Sequence, residues 1–258
     1  MVFLHSFNQN LFFMLSIIVC SRNKSLSEIF VNNIVSTVGV EYEIIHIDNS
    51  ESTYSIFSAY NLGIKKSKYP YLCFIHEDVL FHTKNWGDKI IAHLKDPKTG
   101  IIGVAGGDFV PRVPASWGTL ISPGNNVIQS DSSGKKTTHQ FSIPKDYSFT
   151  TRSSLIIDGL FLSMRSEMTD KIRFDENLKG FHGYDYDISL QSIIAGYKNY
   201  VIYDVKVEHF SRGGTNILYF RNLILVYKKW EKYLPLIGEN VTDEEFKNTH
   251  GHLRFLCS

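Results

Sequence analysis

The chain has 258 residues, 43% of them hydrophobic and 14% aromatic, which is enough apolar mass for a sizeable core and too much for a disordered segment. Its 27 Lys and Arg nearly balance 26 Asp and Glu, so charge indicates neither a nucleic-acid surface nor an acidic tail. Cys20, Cys73 and Cys257 show no metal spacing, and the first two lie in apolar runs, which fits a reducing cytoplasm.

Near the N-terminus, "LFFMLSIIVC" is about half the length a membrane span needs and has no basic leader or small-residue cleavage site. The expectation is a cytoplasmic protein without signal peptide or anchor; peripheral contact with the inner face of a membrane through surface aromatics stays open. The first strand opens at Met14 in "MLSIIVCSRN", a continuous apolar run of the kind buried on both faces of a parallel sheet. A helix follows, with Ser25 and Glu28 as a capping-box pair and Leu26, Ile29, Phe30, Ile34 and Val38 at helical spacing. "YEIIHIDNS" predicts a second strand, "YSIFSAYNLGIKKSK" a second helix and "YLCFIHEDV" a third strand, the series expected of right-handed crossovers.

A helix over 85–94 and a strand in "TGIIGVAGGDF" come next, then a Gly-, Pro- and Ser-rich stretch read as loops and an irregular hairpin. "SSLIIDGLFLSMR" returns as a strand, and "GFHGYDYDISLQSIIAGY" runs from a glycine-rich loop into a helix. "NYVIYDVKVEHFSRGG" gives a last strand and "ILYFRNLILVYKKWEKYL" a long amphipathic helix. The whole reads as one α/β domain over 14–237, with 1–13 and 238–258 as extensions.

Ligands in open α/β sheets bind beyond the carboxyl ends of strands, and four strand ends here are polar: Ser21 to Asn23, Asp48 to Ser50, His76 to Asp78, and His209 to Arg212. Alternation along an extended chain puts His76 and Asp78 on one face and Glu77 on the other. An imidazole and a carboxylate so placed can hold a divalent cation that neutralises a diphosphate, or they can cap the next helix. Asp185 and Asp187 sit where a glycine-rich loop becomes a helix; the helix dipole alone accounts for Asp187, whereas Asp185, among glycines and aromatics, suits a pocket base that takes a proton from an alcohol. His209 ends a strand, and Arg212 precedes two glycines as a residue that could close over anions.

In this order the motifs resemble nucleotide-sugar-dependent glycosyltransferases of the GT-A fold, closest to family 2 and its bacterial relatives, over about 14–234. The resemblance implies a Rossmann-like, mostly parallel sheet sandwiched by helices, with a C-terminal acceptor-side subregion: 14–105 would be the nucleotide-sugar half and 106–237 the acceptor half. It implies nucleotide-sugar contacts from Ser21, Arg22, Asn23, Asp48, Asn61, His76, Glu77 and Asp78. "HED" occupies the family's DxD motif, with Asp78 on the last Asp and His76 in place of the first. Asp78 and His209 would be ligands of Mn2+ or Mg2+. "GYDYDISLQ" is similar to the family's Glu-Asp-x-Asp-Leu segment, with Asp185 on the general-base position and Tyr184 where Glu is usual. Asp158, Gly159, Tyr184 and Asp187 would face the acceptor, and Trp86 or Trp117 would offer a flat face for a sugar ring or else be core. The implied reaction is inverting transfer from a sugar nucleotide, foremost a UDP-sugar, to a hydroxyl of a glycan or lipid-linked glycan. The alternatives are a degenerate transferase that only binds sugar nucleotides or glycans, and a nucleotidyltransferase. The latter is disfavoured because "SRNKSLSE" lacks a glycine-rich loop after the first strand.

Overall fold

The computed structural model describes residues 14–116, 124–131, 137–142, 150–211 and 216–242. In chain order the first half contains β1 (Met14–Ser21), α1 (Glu28–Thr37), β2 (Glu41–Asp48), α2 (Ile56–Lys66), β3 (Tyr71–Ile75), β4 (Val79–Phe81), α3 (Trp86–Leu94), β5 (Thr99–Gly103), β6 (Ala105–Gly107) and β7 (Phe109–Val110). The second half adds β8 (Gly124–Ser130), β9 (Thr137–Ser142), β10 (Thr151–Ser154), β11 (Ile156–Ile157), β12 (Phe161–Arg165), α4 (Tyr184–Ile194), β13 (Lys198–Ile202), β14 (Val207–His209), α5 (Ile217–Trp230) and β15 (Leu236–Ile237).

Seven strands form the central sheet in the order β10-β13-β5-β12-β3-β1-β2. Strands β2, β1, β3, β5 and β13 run one way, and only β12 and β10 run against them. This is the mostly parallel α/β sheet expected from the apolar runs. Alternation along β1 and β3 divides their side chains between two cores. Ile18, Leu72 and Phe74 join Phe57 and Tyr60 of α2 and the inner faces of α4 and α5, whereas Leu15, Ile17, Val19, Cys73 and Ile75 join Phe30 and Ile34 of α1 and Trp86 and Ile90 of α3. A sheet covered on both faces has no solvent side, which is why its strands read as unbroken hydrophobic runs.

Two expectations change, one alternative closes and one expected turn is found. The α1 cap is Ser27, whose hydroxyl accepts the Phe30 N–H at 3.2 Å, and not Ser25; the helix starts two residues later than its apolar spacing begins. Trp86 is core: it is fully buried, stacks on Phe81 at 4.0 Å and donates its indole N–H to Thr37, so it offers no sugar platform. The segment after α4 is broken at 203–206, so that β13 stays in the central sheet and β14 crosses to a second, six-stranded sheet with β4, β6, β8, β9 and β11. The strand segment at 153–165 turns around 158–160, where the resemblance implies a turn at Asp158 and Gly159.

The chain then returns along the sheet edge. β15 pairs with β7, Gly238 donates its N–H to the Asp108 carbonyl, and Asn240 reaches Ser153. Arg165, at the end of β12, donates to the carbonyls of Leu94, Asp96, Pro97 and Thr99 and so clamps the turn between α3 and β5. Among the described residues, no helix is long and apolar enough to cross a membrane.

Candidate active site

β1, β2 and β3 are parallel neighbours, so Ser21, Asp48 and the residues after Ile75 emerge at the same sheet edge. Residues 76–78 form a turn and not an extended strand, yet the turn keeps the separation expected from alternation. Glu77 turns toward β1: its carboxylate accepts from the Ser21 hydroxyl, the Asn23 amide at 3.1 Å and the Arg22 N–H at 3.3 Å. His76 and Asp78 turn the other way. The loop after β1 is thus tied to the loop after β3 through one carboxylate.

The second sheet completes the group. β14 pairs antiparallel with β4, His209 opposite Val79, and the Phe210 N–H bonds the Asp78 carbonyl at 3.0 Å. This register brings His209 Nε2 to 3.4 Å from Asp78 Oδ1. One ligand atom each from His76, Asp78 and His209 lies within 4.8 Å of the others. Among the described residues the buried His209 Nε2 makes no hydrogen bond beyond this 3.4 Å approach to Asp78, so it is open to a further partner. Burial lowers the His76 pKa to about 4, so its imidazole is neutral, as a metal ligand must be. Burial pushes the Asp78 carboxyl up, but the His209 and His76 rings hold it below its ordinary value. Two imidazoles and a carboxylate fit a first-row divalent cation.

Tyr184 and Asp185 enter from the start of α4, whose N-cap is Gly183 at φ 83°, in the left-handed region that a side chain would strain. Tyr184 is buried, and its hydroxyl meets His76 Nε2 at 2.6 Å, which leaves Nδ1 as the ring nitrogen available to a cation. Gly159 makes that placement feasible, because a Cβ there would come within 2.1 Å of the Tyr184 hydroxyl oxygen. Phe181 also lies against the His76 ring, at 5.3 Å between centroids. Asp185 accepts the Gly159 N–H at 3.3 Å and the Tyr186 N–H at 2.9 Å. Burial, with the neighbouring Asp158 charge, raises the Asp185 pKa to about 7. Burial likewise raises Asp158, which is also near His209. Two carboxyls whose charges oppose each other, one poised near neutrality, suit a site that takes up a proton.

Other residues expected at the site lie elsewhere or do other work. Asn61 is on α2, its amide donating to the Phe174 carbonyl and to Glu176, in a cleft with Lys65, Arg173 and Lys229 that holds none of the strand-end group. Asp187 is fully buried and accepts from the Trp230 indole and the Lys229 ammonium, both at 2.8 Å, and from Gln191; it ties α5 to α4. Asp48 is exposed at the end of β2 and accepts the Ser50 N–H, leaving it open to a ligand at the sheet edge. Trp117 and Arg212 lie outside the described residues. Phe181 was missed by sequence reasoning; its only signal was an aromatic inside the glycine-flanked "GFHGY".

Residues 16–212 match the model of a family described as "Glycosyltransferase like family". Among solved structures, the chain is similar to GalNAc-T7 crystallised with UDP, GalNAc and Mn2+, with a TM-score of 0.57 and 13% identity over 85% of this chain and 49% of that one. It therefore spans about half the length of that relative. A looser likeness, with a TM-score of 0.44 and 14% identity, relates 77% of this chain to 85% of A197 from STIV. No curated protein matches the sequence.

Proposed function

Since this chain belongs to the glycosyltransferase like family and has the GT-A type fold its sequence resembles, we propose that it transfers a sugar from a nucleotide-sugar donor to a hydroxyl acceptor, with inversion and with the help of a divalent metal. The observation that carries this reading is the His76, Asp78 and His209 group at the ends of β3 and β14, with the Asp158 carboxyl near His209 and Asp185 next to Asp158. His76, Asp78 and His209 would hold the cation, Mn2+ foremost, as in the GalNAc-T7 structure. When bound, it supplies Lewis-acid neutralisation of a departing nucleoside diphosphate, so that no protonating acid is required.

The remaining work falls to this chain's own groups. The Glu77 network fixes the loop of Ser21, Arg22 and Asn23 beside the diphosphate position, and exposed Asp48 lies one strand over, where a UDP base or ribose would rest. Asp185 takes the proton of the acceptor hydroxyl at its carboxylate while its other bonds, from Gly159 and Tyr186, keep the oxygens aimed. Tyr184 orients His76, and the Gly159 turn gives Tyr184 its room. The acceptor is a glycan or lipid-linked glycan.

The test is turnover of radiolabelled UDP-sugars with Mn2+, comparing the parent chain with Asp185→Asn. Release of sugar that requires metal and falls by about 10²-fold or more in the variant supports transfer. Donor binding without turnover in either protein overturns the enzymatic reading in favour of a sugar-nucleotide binding module.

A further inference from the structure

Helix α5 has two unlike faces. Asn222, Val226 and Trp230 point into the domain, and Asn222 ties the helix to the site by donating to the carbonyls of Lys179 and His182. The opposite face carries Ile217, Leu218, Phe220, Ile224 and Leu225, with Ile217 81% and Phe220 54% exposed. At 100° per residue these fall in one arc of roughly 160°, so they form a stripe and not scattered surface residues.

Charge on this face has one sign. Arg221 and Lys228 are exposed within the same arc, α5 contains no acidic residue, and Glu231 follows only in the next turn, beside Lys232. Lys229 points inward to Asp175 and Asp187. A second copy of the chain is a poor occupant, because two-fold pairing would set these cations against their own kind with no acid in the helix to receive them. Large apolar side chains interspersed with long cationic ones are the composition of a helix lying in a bilayer interface, its rings and branches among the acyl chains and its cations at lipid phosphates.

We propose that the outer face of α5 docks on an anionic lipid surface. The helix has 14 residues, too few to cross a bilayer, and so lies along it. Its inner face is tied to His182 through Asn222, with Phe181 and His76 beyond, so the helix that docks also walls the site and a lipid-linked acceptor would reach Asp185 past it, a consequence that rests on the proposed transfer reaction.

The test is sedimentation of the full chain with phosphatidylcholine vesicles, with and without phosphatidylglycerol, at low and high salt and without donor or metal. We expect partitioning onto the anionic vesicles that weakens with salt and falls by at least about tenfold in Phe220→Ser/Ile224→Ser and in Arg221→Glu/Lys228→Glu. These positions are exposed, so thermal unfolding of both variants should match the parent. Absence of partitioning, or equal partitioning of parent and variants, overturns the proposal, as does a concentration-dependent dimer lost in the same variants. A chain that turns over sugar nucleotides but ignores vesicles rejects the docking surface alone.

Discussion

Asp185 is the residue on which turnover should depend most. Its pKa of about 7, set by burial and by Asp158, means that it is neutral below that pH and able to accept a proton above it. Turnover should therefore rise with pH through about 7, and a profile of kcat against pH should lose this limb in Asp185→Asn. That variant should lose about 10²- to 10⁴-fold in kcat with donor affinity kept, as removal of a general base does. Gly159 gives a second prediction at the same scale. In Gly159→Ala the new methyl would collide with Tyr184, displacing the partner of His76 and destabilising the fold by about 1–3 kcal/mol. Thermal unfolding and Mn2+ affinity, measured together, should both decline. His76 and Tyr184 both depart from the motifs the sequence resembles, and they touch each other. Neither departure announces the other, because 108 positions separate them.

Among the elements, the tie between α4 and α5 is expected to matter for stability and not for chemistry. Asp187→Ala would strand the buried Trp230 N–H and leave Lys229 with Asp175 alone, costing about 2–3 kcal/mol in denaturant unfolding. Helix positions and the strands of the parallel sheet were legible because burial on both faces leaves continuous apolar runs and helical spacing in the chain. The polar strand ends that supply Asp78 and His209 were legible for the same reason: the apolar runs stop there. The Asp-Gly pair in "LIIDGLFL" marks the turn at 158–160, but the break at 203–206 was not legible, since "YVIYDVKV" remains apolar on both sides of the bend. That break routes β14 beside β4 and so delivers His209 to Asp78, a contact fixed by sheet register and not by local sequence. Asp187 illustrates the converse: helix-dipole reasoning explained its presence in a first turn, while its real partner, Trp230, lies 43 residues on.

At the scale of the whole molecule, the three-residue group would anchor a metal and a nucleotide sugar together. A ligand that binds only the folded chain raises its stability by RT ln(1 + [L]/Kd), about 2.7 kcal/mol at a hundredfold excess over Kd. The direct measurement is thermal unfolding with a panel of nucleotide sugars, with Mn2+ or with EDTA, on the parent chain and on Asp78→Ala/His209→Ala. At least one nucleotide sugar, a UDP-sugar foremost, should raise Tm only when Mn2+ is present, and the double variant should fold but lose this shift. A panel in which no nucleotide sugar gives a metal-dependent shift, or in which the shift persists in EDTA and in the double variant, would contradict it.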